Sequence, residues 1–383
     1  MSGPDTEKTA VRIVIAGGGT GGHLFPGVAI GQEFMARNPA NEVLFVSTGS
    51  PFEKRVLAEA GFTLRCITSE AIKGRGVWNQ LTAVLKMPKG VFESILILKN
   101  FKPDLTVGVG GYASAPLMIG AWLMGVKIVL HEQNILPGIT NRMLAPLAER
   151  IYVSFENTRL RKNRSPSEKS AKKVRVTGNP VRGDILDCEK KQREAPNIIL
   201  DDTGSFTVLV IGGSQGAHRI NMAVMDAIAH LEQKEKFFFI HQTGARDETQ
   251  VKNAYARQGV SCRVQSFFDD MASQYQEADL VICRAGASTV AEVTAIGKGV
   301  IFIPYPYAAD NHQVLNARAL ADRGAAEMIL EDDLNGERLA QSVKYYASNL
   351  EDLKTMAATA KNFGKPDAAS VIVNDCYKLI TGD

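Results

Sequence analysis

Two stretches of the chain, far apart in the sequence, follow the same pattern of an apolar run that leads directly into a cluster of glycines. They are VRIVIAGGGTGG at 11–22 and FTVLVIGGSQGA at 206–217. A short apolar run bounded by glycine is typical of a strand buried on both faces, and glycine lets the backbone turn sharply into a helix. The repeat therefore predicts two α/β domains that each open with a strand, a glycine turn and a helix.

The remaining apolar runs extend this pattern in both halves. In the first half they lie at 42–47, near 63–67, and at 104–109, 126–131 and 150–154, and in the second half they are FFFIHQTG, VQSF, LVIC and VIFIPY. We predict an α/β protein with two Rossmann-like, doubly wound domains that face each other across a cleft. The first comprises residues 1–179 and 366–383, with a returning amphipathic C-terminal helix, and the second comprises 180–365.

Composition excludes several classes of protein. A chain of 383 residues that is 45% hydrophobic is long enough for two cores, and a net charge of +3 is too small to indicate a nucleic-acid partner. Five scattered cysteines without a CxxC pair argue against a disulfide framework or a thiolate zinc site, and they fit a reducing compartment. The polar residues 1–10 are predicted to be a leader without a secretory signal.

One uncharged stretch, 105–126, is long enough to suggest a membrane span. Its glycines and Pro116 divide it into a β-like half and a helix-like half. We predict a buried strand, a tight turn and a buried helix there. The Lys- and Arg-rich segment 159–173 is predicted to be an exposed loop.

The first glycine cluster satisfies the GxGxxG pattern directly after a strand, which allows three interpretations. A nicotinamide dinucleotide would need an acidic residue at the end of the next strand, and that strand ends in Val46-Ser47-Thr48-Gly49. The glycines could also serve the turn alone. His23 directly after the turn and Pro26, predicted to open the following helix, favour a functional site.

The second half contains a more specific arrangement. CRAGASTVAE at 283–292 follows a strand and begins a helix, whose N-terminus can receive a pyrophosphate. Glu292 lies one turn inside that helix and can accept two hydrogen bonds, as the diol of a ribose would supply. Asp310-Asn311-His312-Gln313 then stands at the start of another helix, where a sugar would lie beside the carboxyl ends of parallel strands.

These motifs occur together and in a fixed order, and together they resemble one family. The segments are GGGTGGHLFPGVAI, VGVGGYASAP, HEQNILPGITNRML, VTGNPVR, IGGSQGA, HQTG, FFDDM, CRAGASTVAE and PYPYAADNHQVLNA. Nearly the whole chain, from about Val11, is similar to the MurG family, which has the GT-B fold. The resemblance implies an inverting transfer of N-acetylglucosamine from UDP-N-acetylglucosamine to the C4 hydroxyl of the muramoyl sugar of lipid I, which forms lipid II in peptidoglycan synthesis and so serves cell shape and division.

The same resemblance implies a donor site. The backbone near Phe268 would contact uracil, with Arg182 near the nucleotide and Glu292 on the ribose. Ser214 and the helix start at Ala287–Thr289 would meet the diphosphate. The full expected donor set is Thr20, Gly21, Gly22, Asn134, Arg182, Ser214, Phe268, Ala287, Ser288, Thr289, Glu292, His312, Gln313 and Asn316. His312 stands where some members carry glutamine, and either side chain can donate a hydrogen bond to a sugar hydroxyl.

For the catalytic end, the resemblance points to His23 as the base, with His131 as the second candidate. The residues expected at the lipid-linked muramoyl-pentapeptide acceptor are Gly19, Tyr112, His131 and Glu132. A histidine suits the removal of the acceptor's proton because its pKa lies near working pH. Helix and backbone dipoles could stabilise the leaving diphosphate. We therefore predict neither an essential metal nor a cofactor, and Asp269-Asp270 is expected only to open a helix.

A lipid-borne acceptor requires a protein that docks on the membrane without crossing it. In residues 72–102 apolar side chains alternate with lysine and arginine, as an anionic surface would require. The expected membrane residues are Trp78, Leu81, Leu85, Lys86, Lys89 and Phe92. The other interpretation is a helix whose apolar side is core. The implied location is the cytoplasmic face of the bacterial inner membrane, with other cell-wall synthesis proteins as candidate partners.

Two alternatives use the same fold. One is a UDP-N-acetylglucosamine 2-epimerase, which would need neither the HEQN motif for a lipid acceptor nor a membrane-facing patch. The other is a nucleotide-sugar-binding member that has lost catalysis, against which the presence of His23, Glu292 and Gln313 argues.

Overall fold

The computed structural model of the chain describes residues 10–69, 77–158, 173–187 and 205–382, with side chains given for all of these except 77–86 and Ala309. The chain divides into two compact units, Met1–Arg182 with Asp367–Asp383 and Gly183–Pro366. The first boundary lies at Arg182 rather than at residue 179, so that the VTGNPVR segment belongs to the first unit. Most of the predicted loop at 159–173 lies outside the described residues, as does the leader up to residue 9.

The described part of the first unit contains a parallel sheet of seven strands. They are β1 (Arg12–Ala16), β2 (Glu42–Ser47), β3 (Thr63–Cys66), β4 (Leu105–Gly108), β5 (Lys127–Glu132), β6 (Arg150–Val153) and β7 (Val174–Val176). Their order in the sheet is β3-β2-β1-β4-β5-β6-β7, and each neighbouring pair is parallel. The order reverses beside β1, which is the point where doubly wound sheets bind ligands.

Helices cover both faces of this sheet. They are α1 (Gly21–Arg37), α2 (Pro51–Glu59), α3 (Val77–Phe101), α4 (Ser114–Leu123) and α5 (Ile139–Leu144). Alternate residues of β1 enter different cores: Ile13 and Ile15 join one cluster, and Val14 and Ala16 join the other. This double burial explains why the strand is apolar at consecutive positions.

The C-terminal helix α13 (Ala368–Thr381) packs on the first unit. Ile372, Val373 and Cys376 belong to the same core cluster as Ile13 and Ile15. Polar contacts add to this packing, because Tyr377 accepts a hydrogen bond from Asn41 at 2.7 Å. The helix thereby completes the cover over one face of the sheet.

The second unit repeats this plan. The strands of its six-stranded sheet, among the described residues, are β8 (Phe206–Ile211), β9 (Phe237–Gln242), β10 (Ser261–Gln265), β11 (Leu280–Cys283), β12 (Gly299–Phe302) and β13 (Glu327–Met328). The order is β10-β9-β8-β11-β12-β13, again parallel throughout. The helices are α6 (His218–Ala227), α7 (Glu248–Gln258), α8 (Met271–Glu277), α9 (Ala287–Ile296), α10 (His312–Ala321), α11 (Gly336–Ser348) and α12 (Leu350–Phe363).

The uncharged stretch 105–126 has the structure that the sequence predicts. It forms β4, a turn and the ten-residue helix α4, in which Leu117, Met118 and Ala121 are fully buried. Within the residues that the structure describes, no helix is both long and apolar enough to span a bilayer.

Candidate functional sites

The first candidate site lies at the carboxyl end of β1, where the backbone turns into α1. Gly18 and Gly19 have φ angles of +151° and +89°, a region that favours glycine. A Cβ atom on Gly111 would lie 2.4 Å from the carbonyl oxygen of Gly18, so the turn after β4 packs directly against this one. Two adjacent glycine turns thus bring the backbones of two strand ends together.

Several predicted residues meet at this turn. Gly19 and Thr20 are exposed, and Thr20 is the N-cap of α1 without a side-chain capping bond. Tyr112, which is 45% exposed, places its ring 3.8 Å from the position that a Cβ on Gly19 would take. Gly21 and Gly22 form the first turn of α1, whose N–H groups give this end partial positive charge.

A buried carboxylate, which the sequence analysis did not single out, holds the turn in place. Glu53 is fully buried, and it accepts hydrogen bonds of 2.7 Å from the amides of Gly19 and Ser50. It also completes a capping box with Ser50 at the start of α2. The Gly19 amide is therefore already used within the protein, and Ser-x-x-Glu at 50–53 is the sequence signal that marks this role.

His23 lies in the first turn of α1 and is half-buried. Its Nδ1 atom is 3.1 Å from the carbonyl oxygen of Val109 and 3.1 Å from Oε1 of Gln133. Gln133 in turn contacts His131 on β5, with 3.1 Å between Nε2 and Nδ1. Three side chains from two elements thus form one hydrogen-bonded chain beside the glycine turn.

His131 and Glu132, which we expected at the acceptor, are both buried. Their exposures are 0% and 1%, and His131 contacts the Gly178 carbonyl at 3.2 Å through Nε2. Glu132 accepts hydrogen bonds from the amides of Asn134 and Gly138 and from the side chain of Asn141. Both side chains are thus enclosed by the first unit's own groups, and their role at the acceptor stays a prediction. Burial also lowers the pKa of His131 to about 4, which makes its ring a weak base.

Asn134 and Arg182 also lie in the first unit. Asn134 is half-buried beside Glu132, which fixes its backbone through a 2.9 Å hydrogen bond. The Arg182 guanidinium lies over the ring of Phe25, 4.4 Å from its centroid. Phe25 also touches the position of a Cβ on Gly21, so Arg182 stacks beside the start of α1.

The second candidate site surrounds the glycine turn after β8. Gly213 and Gly216 have positive φ angles, and Ser214 is exposed between them. The side chain of Gln242 donates to the Gly213 carbonyl at 3.0 Å and accepts from the Phe268 amide at 2.9 Å. Gln242 therefore joins the turn to the Phe268 segment, and the uracil contact by the backbone near Phe268 stays a prediction.

The start of α9 has the features of an anion site. Its N-cap is Gly286, which offers no side-chain cap, and Ala287, Ser288 and Thr289 form the first turn. Glu292 follows on the same helix, 8% exposed, and accepts a 2.9 Å hydrogen bond from the hydroxyl of Tyr275. A helix N-terminus beside an oriented carboxylate can bind a diphosphate and a diol together.

Arg284 fixes the backbone of the loop between β12 and α10. Arg284 pairs with Glu331 at 2.5 Å, donates to the carbonyls of Ile303 and Pro304, and lies against the ring of Tyr305. This buried pair fixes the backbone that leads to the predicted sugar-binding residues. Arg284 lies within the CRAGASTVAE motif, but the motif alone did not indicate a role for it.

The three predicted sugar-binding residues of this loop differ in exposure. His312 and Gln313 are half-buried at the start of α10, and Gln313 accepts a 2.9 Å hydrogen bond from the Tyr305 amide. Asn316 is 0% exposed and donates to the carbonyl of Ala285. This bond ties Asn316 to the turn before α9, and its contact with the sugar stays a prediction.

The predicted membrane segment falls partly on α3. The side chains of Trp78, Leu81, Leu85 and Lys86 lie outside the described residues. Phe92 is 62% exposed, and the side chain of Lys89 is 68% exposed. The adjoining α4 exposes Trp122 and Leu123, at 55% and 57%, which the sequence analysis placed in a buried helix.

The other polar clusters serve packing or remain simple surface pairs. His241 is buried between Tyr255 and Asn221, and burial lowers its pKa to about 3. Asp270 is the N-cap of α8 and accepts from the Ser273 amide at 3.1 Å. Among the described residues, no group of three His, Cys, Asp or Glu side chains could hold a metal ion.

Two family profiles match the chain. The Glycosyltransferase family 28 N-terminal domain matches residues 13–153, and the Glycosyltransferase family 28 C-terminal domain matches residues 207–372.

Curated relatives share one name, UDP-N-acetylglucosamine–N-acetylmuramyl-(pentapeptide) pyrophosphoryl-undecaprenol N-acetylglucosamine transferase. The protein from Syntrophus aciditrophicus is 46% identical over 97% of this chain and 99% of the relative. The protein from Geobacter metallireducens is 47% identical over 95% of this chain and 98% of the relative.

Solved structures agree on the fold. The crystal structure of Acinetobacter baumannii MurG superposes with a TM-score of 0.73 at 29% identity, over 97% of this chain and 100% of that one. A Neisseria meningitidis UDP-GlcNAc 2-epimerase bound to UDP-GlcNAc reaches a TM-score of 0.65 at 14% identity, over 96% of this chain and 100% of that one. At that identity the second likeness concerns the fold alone.

Proposed function

Since the chain belongs to glycosyltransferase family 28, among the N-acetylglucosamine transferases that act on undecaprenyl-pyrophosphoryl-linked muramyl pentapeptide, we propose that it catalyses this transfer. Its substrates are UDP-N-acetylglucosamine and lipid I, and its product is lipid II. The sugar is joined to the C4 hydroxyl of the muramoyl residue with inversion at the anomeric carbon.

The donor binds to the second unit. The observation that carries this assignment is the uncapped N-terminus of α9 beside the buried, oriented carboxylate of Glu292. The first turn of α9 and Ser214 receive the diphosphate, while Glu292 accepts hydrogen bonds from the ribose hydroxyls. His312 and Gln313 meet the N-acetylglucosamine.

The acceptor meets the first unit at its glycine turn. Thr20, Gly21 and Gly22 approach the reacting groups, with Gly19 and Tyr112 at the rim. His23 removes the proton of the C4 hydroxyl as that oxygen attacks the anomeric carbon. The bond from this carbon to the diphosphate breaks, its electron pair leaves with UDP, and His23 later releases the proton to water.

The leaving diphosphate is stabilised by fixed dipoles. The N–H groups at the start of α9 point along the helix axis, and such preorganised donors stabilise developing negative charge without reorganisation. We therefore expect no essential metal ion and no cofactor.

The membrane surface holds the acceptor, and the first unit docks there from the cytoplasmic side. Support comes from Phe92 on α3 and Trp122 and Leu123 on α4, which are large apolar side chains at the surface of two helices that pack together. Lys89 adds an exposed cation beside Phe92. Apolar anchors with nearby cations suit an anionic bilayer.

Docking is tested by sedimentation with phosphatidylglycerol vesicles and with phosphatidylcholine vesicles. Loss of the charge in Lys89→Gln should weaken binding to the anionic vesicles about fivefold, since one basic residue contributes about 1 kcal/mol. Trp122→Asp should weaken binding to both, and Val371→Asp, on α13, serves as the exposed apolar control. Equal binding by all three variants and the native chain would contradict this docking surface.

The proposed activity is tested with radiolabelled UDP-N-acetylglucosamine and a soluble lipid I analogue. We expect a labelled disaccharide product and UDP, with no reaction of the donor alone. Formation of a 2-epimer from the donor alone would instead support an epimerase. His23→Ala should abolish transfer, and near-normal turnover in that variant would remove His23 as the base.

A further inference from the structure

A continuous chain of hydrogen bonds runs from the protein interior to His23. It begins at the carbonyl of Gly178, passes through His131 and Gln133, and ends at Nδ1 of His23, with successive distances of 3.2, 3.1 and 3.1 Å. The Val109 carbonyl lies beside it, 2.8 Å from Nε2 of Gln133 and 3.1 Å from Nδ1 of His23. The chemistry of these groups decides which atom carries each proton.

The buried end of the chain has one consistent assignment. A carbonyl oxygen can only accept, so Nε2 of His131 must carry the proton that it donates to Gly178. Burial lowers the pKa of His131 to about 4, and the ring is therefore neutral at pH 7. A neutral ring with its proton on Nε2 leaves Nδ1 as an acceptor for Gln133.

Gln133 is then fixed in orientation. Its amide nitrogen donates to the Val109 carbonyl and to Nδ1 of His131, both of which are acceptors. In the opposite orientation, the amide oxygen of Gln133 would face the Val109 carbonyl oxygen and the lone pair on Nδ1 of His131, neither of which can donate a hydrogen bond. Gln133 must therefore present Oε1 to His23.

Both atoms that face Nδ1 of His23 are acceptors, namely the Val109 carbonyl oxygen and Oε1 of Gln133. Nδ1 must carry the proton, which leaves the lone pair of the neutral ring on Nε2. We propose that Gln133 and His131 are positioning residues that hold His23 in its Nδ1–H tautomer, so that Nε2 is the atom that accepts the substrate proton. The tautomer itself follows from these contacts, whereas the use of Nε2 rests on the proposed function.

The surroundings of His23 contain few other titratable groups that could override this arrangement. From β5, His131 faces it as a neutral ring, and the Glu132 carboxylate is bound to the segment that follows it. From α2, Glu53 contacts the Gly19 amide, and Tyr112 lies beside Gly19. The hydrogen bonds to Val109 and Gln133 are thus the direct polar contacts that orient the ring in the described structure.

The tautomer can be measured without any activity assay. Long-range proton–nitrogen NMR spectra of the full chain, labelled with 15N-histidine and assigned by single His→Gln substitutions, distinguish a protonated from an unprotonated ring nitrogen. We expect neutral His23 with its proton on Nδ1 and His131 with its proton on Nε2. A neutral His23 with its proton on Nε2 would overturn the proposal.

The positioning role is tested by two substitutions with opposite effects. Gln133→Met removes the acceptor from Nδ1 and should lower kcat about tenfold, leave KM nearly unchanged, and move the acidic limb of the kcat/KM profile to lower pH. Gln133→Glu places a carboxylate there, which favours the imidazolium, and should move the same limb to higher pH by about one unit. Gln341→Ala, an exposed position in the second unit, is the control.

These measurements separate the two proposals. A residue that merely supports the fold would lower activity in both variants without moving the limbs in opposite directions, and that result would overturn the positioning role. If the NMR spectra and pH profiles agree with expectation while His23→Ala retains activity, the tautomer stands and the proposed base fails. If either variant does not fold, the NMR measurement on the native chain still decides the tautomer.

Discussion

The buried carboxylate of Glu53 offers the sharpest test of how the first glycine turn is held. In Glu53→Gln, one carboxylate oxygen becomes an NH2 group that must face the amide of Gly19 or of Ser50, both now 2.7 Å away. One buried N–H then loses its acceptor, which costs about 2 kcal/mol. Since the Oε2 position also accepts from the Thr48 hydroxyl at 3.4 Å, the amide oxygen should stay there and the NH2 group should face Gly19. The displaced Gly19 then moves the start of α1, so we expect kcat to fall more than tenfold.

Ser50→Ala is the matched control, because it removes only the other half of the capping box, the 3.3 Å hydrogen bond to the Glu53 amide. We expect a loss of about 1 kcal/mol and unchanged kcat. Both tryptophans, Trp78 and Trp122, belong to the first unit, so urea unfolding followed by tryptophan fluorescence reports on that unit. A Glu53→Gln variant that is destabilised but turns over like Ser50→Ala would refute the link between this carboxylate and the site.

Three further predictions concern protonation, the donor and metal ions. Burial lowers the pKa of His131 from 6.5 to about 4 in the folded state. Between these two pH values the unfolded chain therefore binds one more proton than the folded chain. The free energy of unfolding of the first unit should fall by on the order of 3 kcal/mol as pH falls from 6.5 to 4. Urea unfolding of His131→Gln should lack this component, and an identical pH dependence in both proteins would contradict it. Tyr275→Phe removes the 2.9 Å hydrogen bond to Glu292 and should raise the Kd for UDP, measured by calorimetry, five- to tenfold. The control variant Tyr346→Phe should leave this Kd unchanged. Turnover should stay within about twofold in excess EDTA, and a loss restored by Mg²⁺ would show a required metal.

Most of the fold could be predicted from the sequence, because strands that are buried on both faces form distinctive apolar runs. Strand β2 has the predicted bounds, 42–47, and β8, at 206–211, covers the apolar run before the second glycine cluster. Helix α9 begins at Ala287, as its glycine turn indicates. Helix α1 begins at Gly21 rather than at Pro26, which is its sixth residue. Proline there leaves one carbonyl of the first turn without its intrahelical N–H donor, and the helix continues past it, so proline did not mark the start.

The residues that support the sites were harder to predict. Glu53, Gln133 and Gln242 act through hydrogen bonds to backbone groups that are distant in sequence, and no local pattern records such a partner. The burial of His131, Glu132 and Asn316 was hidden by the same limit, since a polar residue within a functional motif can be either exposed or buried. Only Glu53 had a local signal, its capping box with Ser50.

The most direct test is a crystal structure of the chain with UDP-N-acetylglucosamine bound. We expect the diphosphate against the first turn of α9, the ribose hydroxyls on the Glu292 carboxylate, and the sugar near His312 and Gln313. Donor bound instead at the turn Gly17–Gly22, with nothing in contact with Glu292, would contradict the assignment of donor and acceptor to their respective units.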